Sequence, residues 1–162
     1  MKRSALAGDA PVSVGWREWV GFPEWGVEAT KAKIDTGART SAIHAYDIEL
    51  FERDDEEWVR FSVHPWQRSD GDSSIVESRR IDHRTITSSS GTRTDRPVVM
   101  AEMLLAGRQI SAEVTLTRRD EMGFRMLVGR EALAQGFVVD PAASYLGGRP
   151  SKIIRRKNRG KA

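Results

Sequence analysis

The chain has 162 residues, 39% hydrophobic and 30% charged, enough to bury one core without staples, and the lack of cysteine excludes disulfides, thiolate metal sites and cysteine nucleophiles. Its net charge of +3 hides an asymmetry: seven of the 26 basic residues and no acid fall in residues 149–162, leaving a body with 19 basic against 23 acidic residues. No apolar run approaches the roughly 18 residues of a membrane span, and residues 1–14 lack the apolar stretch of a secretory signal, so no membrane partner and a cytoplasmic location are expected.

In chain order, residues 1–11 read as a flexible N-terminus and 12–148 as one domain. Residues 12–25, rich in tryptophan and interrupted by Gly21 and Pro23, predict an opening strand and bend. Residues 27–34 alternate outward and inward, as a half-buried strand does, and run straight into Asp35-Thr36-Gly37-Ala38. Gly37 lets the backbone turn where a side chain would clash, and a carboxylate on a strand-end turn suits general acid–base chemistry. Taken alone, such an Asp is more often structural, because Asp caps its own backbone in turns.

Residues 42–51 and 58–66 predict a hairpin across the acidic loop 53–57, and 67–74 a polar loop. Residues 75–87 and 96–106 predict a long hairpin with a polar tip at 88–92; a turn at 106–108 returns the chain through 110–116. Residues 126–133, Met-Leu-Val-Gly-Arg-Glu-Ala-Leu, predict a short apolar strand ending at Gly129, then a helix over 130–135 stopped by Gly136. Strands dominate, so the expected class is all-β. The tryptophans at 16, 19, 25, 58 and 66 read as packing rather than a ligand platform. Residues 149–162 predict a basic disordered tail, serving solubility or phosphate binding and ribosome association. No aromatic residue lies in the tail to stack a base.

Together, Asp35-Thr36-Gly37-Ala38 and Leu127-Val128-Gly129-Arg130 resemble the paired motifs of retropepsin-like aspartic proteases. The resemblance extends to a bacterial branch labelled ATP-dependent zinc proteases, over residues 33–45, Ser89-Ser90-Gly91, Arg96-Pro97-Val98-Val99 and residues 124–133. It implies a closed β-barrel with a flap hairpin and one short C-terminal helix. It also implies a homodimer, because two carboxylates must share one proton and this chain has one Asp-Thr-Gly. By resemblance Asp35, Thr36 and Gly37 are catalytic: Asp35 activates water, Thr36 braces the partner's turn and Gly37 meets substrate backbone. Ala38, Arg39, Ser89, Ser90, Gly91 and Arg130 are the candidate substrate-binding residues, with residues 88–92 as the flap tip.

Arg39 stands where these proteases commonly carry an acid that pairs with the late arginine, here Arg130. Either Glu131, Asp120 or Glu121 neutralises the two guanidiniums, or Arg39 faces the cleft and binds an acidic substrate. The second is preferred, with Arg79, Arg80 and Arg96 extending a basic cleft. It agrees with the branch, some members of which are encoded beside ligases that add glutamates to a ribosomal protein. The expected partner is therefore an acidic protein or peptide. No cofactor is expected: the chain has no Gly-x-x-x-x-Gly-Lys-Ser/Thr loop, and His44, His64 and His83 are far apart, although a zinc site using His44, Asp35 and Asp47 is a rival. A non-catalytic adaptor using the basic tail is the other rival.

Overall fold

Chain reversals at Gly, Pro and Asp-rich turns divide the chain into short strands. The computed structural model describes residues 10–87, 90–117 and 123–161. In order these form β1 (Val12–Val14), β2 (Arg17–Phe22), β3 (Val27–Ile34), β4 (Ser41–His44), β5 (Tyr46–Arg53) and β6 (Glu56–Val63). There follow β7 (Ser74–Arg79), β8 (Asp82–Thr87), β9 (Arg93–Leu105), β10 (Arg108–Thr117) and β11 (Met126–Val128). Helix α1 (Arg130–Leu133), β12 (Phe137–Val139) and helix α2 (Lys152–Asn158) complete the order.

Six strands close a barrel in the order β10-β4-β11-β3-β2-β9, with β9 returning to β10. Closure leaves no barrel edge unpaired. Inward positions fill the barrel with Val20, Ala32, Ile34, Ile43, Val99, Met103, Leu116, Met126 and Val128. The first half of β9 runs beyond the barrel and pairs with β8 as a hairpin. A separate sheet, β5-β6-β7, packs on the barrel where Trp25 stacks on Phe22 at 4.6 Å and meets Phe61 edge-on at 5.3 Å.

The expected all-β class and barrel are present, and four local readings change. Residues 75–87 are not one strand: β7 joins the three-stranded sheet, while β8, beyond a break at Arg80 and Ile81, joins β9. No glycine or proline interrupts residues 74–87, so the sequence shows no boundary. Residues 12–25 split into β1, β2 and a 3-10 turn at Pro23–Trp25, and β1 pairs in parallel with the unforeseen β12. The acidic loop expected over 53–57 shrinks to Asp54 and Asp55, since Arg53 already pairs with Glu56, and both have the positive φ of a two-residue hairpin turn.

The fourth change concerns the tail. Residues 149–162 were expected to be disordered, yet they include α2, whose N-terminus is capped by Ser151 Oγ. Buried Ile154 packs with Ala29 and Trp66 on the outside of the barrel. Asn158 receives the Gln67 N–H at 2.9 Å and Lys157 donates to Asp72 at 3.0 Å. Only two apolar residues, Ile153 and Ile154, interrupt the charges, which is why composition conceals the docking. No helix among the described residues is long and apolar enough to cross a membrane.

Candidate active site

Strand β3 ends at Ile34, but its pairing with β11 extends one residue further. The Asp35 N–H donates to the Val128 carbonyl at 2.9 Å, which holds Asp35 at the barrel rim. Its Oδ1 accepts the Gly37 N–H at 2.9 Å, and the Ala38 N–H closes the turn on the Asp35 carbonyl at 3.2 Å. Thr36 and Gly37 project into solvent, and the Asp35 side chain is half-buried.

The late motif braces this turn from behind. Gly129 approaches so closely that a Cβ there would lie 2.6 Å from the Thr40 carbonyl carbon. Its N–H donates to buried Ser41 Oγ at 3.0 Å. The first two N–H groups of α1, from Arg130 and Glu131, donate to the Ala38 and Arg39 carbonyls at 2.7 and 3.0 Å. Arg130 Nη1 then donates to the Thr36 carbonyl at 2.9 Å. Two segments about ninety residues apart in the chain thus form one rigid unit.

Asp35 opens on a cleft of about 420 Å³. Its floor is Thr115, Ala42 and Leu127, cross-strand neighbours that share one face of the sheet. Arg84 and Ile86 of β8 and Arg96 of β9 form a wall. The Arg84 guanidinium bridges Asp82 and Glu113, both at 2.8 Å, and the hydrogen bond to Glu113 raises its pKa above the ordinary value.

Asp35, Ala38 and Arg39 line this cleft together. Arg39 also pairs with Glu131 at 3.1 Å, the side chains being 74% and 48% exposed, so water screens the pair. Arg130 does not line the cleft, and its bond to the Thr36 carbonyl keeps it from confronting Arg39. Ser90 and Gly91 sit exposed at the β8–β9 tip, outside the cleft lining; Ser88 and Ser89 lie outside the described residues, as do Asp120 and Glu121. The hairpin stem, not its described tip residues, walls the cleft. Of the additional basic residues, Arg96 reaches the wall, whereas Arg79 and Arg80 pair with Glu56 and Glu57 on the other sheet. Arg84 and Thr115 escaped the sequence reading, because no local motif marks a residue that reaches the site by strand register.

His44 is buried in β4 beside Tyr46, while His64 stacks on Tyr46 at 4.1 Å and meets Asp70 at 3.1 Å. No group of three His, Asp or Glu side chains able to hold a metal occurs among the described residues.

A family model described as RimB-like, retropepsin-like aspartic endopeptidase RimB, matches residues 13–150. A protein of Shewanella halifaxensis, described as a probable alpha-L-glutamate ligase, is 45% identical over 140 residues, covering 86% of this chain and 31% of its own. A protein of Desulfotalea psychrophila with the same description is 46% identical over 141 residues, 86% of this chain and 30% of that one. The chain thus spans about a third of the length of these relatives. A solved structure of a Legionella pneumophila protein of unknown function, Lpg0085, superposes with a TM-score of 0.71 at 24% identity. It covers 84% of this chain and 98% of its own, and establishes likeness of fold.

Proposed function

The chain belongs to the RimB-like family of retropepsin-like aspartic endopeptidases, and on that premise we propose that it is a homodimeric peptidase acting on acidic or glutamylated proteins. The observation that carries this reading is Asp35, held at the barrel rim and lining a cleft of about 420 Å³. A single carboxylate cannot both accept a proton from water and donate one to the scissile carbonyl. Two copies placed about a two-fold axis supply the pair, one Asp35 each.

In that arrangement one Asp35, ionised, takes a proton from water as the oxygen attacks the carbonyl carbon. The other, protonated, donates to the carbonyl oxygen, giving a neutral gem-diol. Collapse of the diol breaks the C–N bond, with a proton passing to the leaving amine. Thr36 and Gly37, both exposed, would meet the partner and the substrate backbone. Arg39 would exchange Glu131 for a substrate carboxylate.

The substrate class draws support from the relatives. The match covers about a third of each ligase-named chain, and we take that third as a domain joined to the ligase. A peptidase domain joined to a glutamate ligase is held beside the glutamate-bearing product, where removing glutamates would oppose ligation. Ribosome association through α2 remains part of the proposal only as a consequence of its positive charge.

The test is mass spectrometry of digests of an oligoglutamate-tailed protein by wild type and Asp35→Asn, with and without chelator. Cleavage that vanishes in Asp35→Asn and resists chelator is expected. Cleavage abolished by chelator would mean a metal peptidase, and no cleavage of any substrate would leave a binding module.

A further inference from the structure

On the outer surface of the barrel, away from the Asp35 cleft, α2 and the segment before it create a second concavity of about 260 Å³. Five cations line it: Arg17 from β2, Lys31 from β3, and Arg149, Arg155 and Arg159 from the C-terminal segment. No acidic side chain lines it, and none of the five forms a salt bridge among the described residues. The contrast with the Asp35 cleft is sharp, since Arg39 and Arg84 there already have carboxylate partners.

Such like charges converge because aromatic faces hold them. Arg17, Lys31 and Arg149 lie over the Tyr145 ring at 4.9, 5.5 and 5.0 Å from its centroid, and Lys31 lies 5.4 Å from that of Trp19. Tyr145 itself is fixed by its N–H bond to the Arg17 carbonyl, and its neighbours Leu146 and Gly147 donate to the buried Glu18 carboxylate at 2.8 and 3.0 Å. Arg17, Lys31 and Arg149 are therefore preorganised rather than splayed into water, and Arg155 and Arg159 extend the lining from α2.

Strand register connects this concavity to the active-site cleft. The cleft floor runs Thr115, Ala42, Leu127 across neighbouring strands; the next register partners on the same face are Lys33 and then Arg17. From Leu127 to Arg17 is two strand spacings, about 10 Å. The register thus leads from half-buried Leu127 through exposed Lys33 to half-buried Arg17, and so from the cleft to the concavity.

We propose that this concavity is an exosite for an acidic peptide, binding the carboxylates of a substrate segment whose neighbouring residues lie in the Asp35 cleft. The proposal rests on the peptidase reading for its purpose but not for its binding. Carboxylates fit better than nucleotides. The Tyr145 ring is approached by three cations, and Trp19 packs toward Ala29, Trp66 and Ile154 while facing Lys31, which leaves bases no stacking platform. The concavity is also too small to seat a nucleic-acid duplex. Guanidinium forks match carboxylates in pairs, and the basic tail that composition marks for solubility becomes one wall of a specificity site.

The experiment measures binding of a fluorescent decaglutamate peptide to the full Asp35→Asn chain by anisotropy, which separates binding from turnover. Adding Arg155→Gln and Arg159→Gln is expected to weaken binding at least tenfold. The control, Lys152→Gln with Arg156→Gln, removes the same charge from α2 outside the concavity and is expected to cost less than threefold; thermal melts verify that both fold. Equal losses in the two pairs would overturn the exosite, as would no loss in the first. Tighter binding of a uridine decanucleotide than of the peptide, also lost with Arg155 and Arg159, would overturn the peptide assignment in favour of a phosphate site. Binding that follows the expected pattern while wild type cleaves nothing would overturn the peptidase reading and leave the exosite standing.

Discussion

Gly129 has no room for a methyl group. A Cβ there would stand 2.6 Å from the Thr40 carbonyl carbon and 2.9 Å from the Ala38 carbonyl oxygen, both of them backbone. Gly129→Ala is therefore expected to cost about 1–3 kcal/mol by forced displacement, measured by denaturant unfolding, and to move the Asp35 turn enough to reduce cleavage at least tenfold. Ser41→Ala strands the buried Gly129 N–H, with an expected cost of about 1–3 kcal/mol. Asp35→Asn, on a half-buried turn, is expected to leave the melting temperature within a few degrees while abolishing cleavage. Asp35 and Gly129 were legible in the sequence because turn chemistry is local. Ser41 was not, because its partner lies 88 positions away. Nor was Glu18, which reads as a surface strand residue until Gly15, Leu146 and Gly147 are seen to donate to it.

Among the elements, α2 shows how composition can mislead. Seven cations predicted disorder, yet one buried isoleucine and a few polar contacts dock the helix. One of those contacts depends on pH. Hydrogen bonds from Lys157 and then Trp66 hold the Asp72 carboxyl below its ordinary value. A carboxyl whose pKa is lower in the folded chain stabilises docking above its unfolded pKa, and that contribution is lost as pH falls through the lower folded value. Loosening of α2 is thus expected on acidification below about pH 3.8, the ordinary Asp value, with no change between pH 5 and 8 from this pair. Acid titration of the tryptophan fluorescence of wild type and Asp72→Asn checks this, since the variant should lack one acid-dependent step of the wild type. The β7–β8 break was illegible for a different reason. No glycine or proline marks it, and only the pairing partners, β6 on one side and β9 on the other, reveal the change of sheet.

Considered whole, the molecule is a closed barrel that carries Asp35 on its rim, half of the proposed catalytic pair. The barrel was legible from strand spacing and the two motifs, because retropepsin-like sequences announce their turn and its brace. The second basic concavity was not, because Arg17, Lys31, Tyr145 and Arg155 come together only after β2, β3 and α2 pack. The central claim, that two copies of Asp35 form one active site, is tested most directly by subunit mixing. Wild type and Asp35→Asn are unfolded together, refolded in varied ratios at constant total concentration, and assayed for cleavage of the oligoglutamate-tailed protein. If the pair is shared, activity falls as the square of the wild-type fraction, so an equal mixture retains about a quarter. A linear fall, with half the activity in the equal mixture, would show that each chain acts alone and would contradict the shared site.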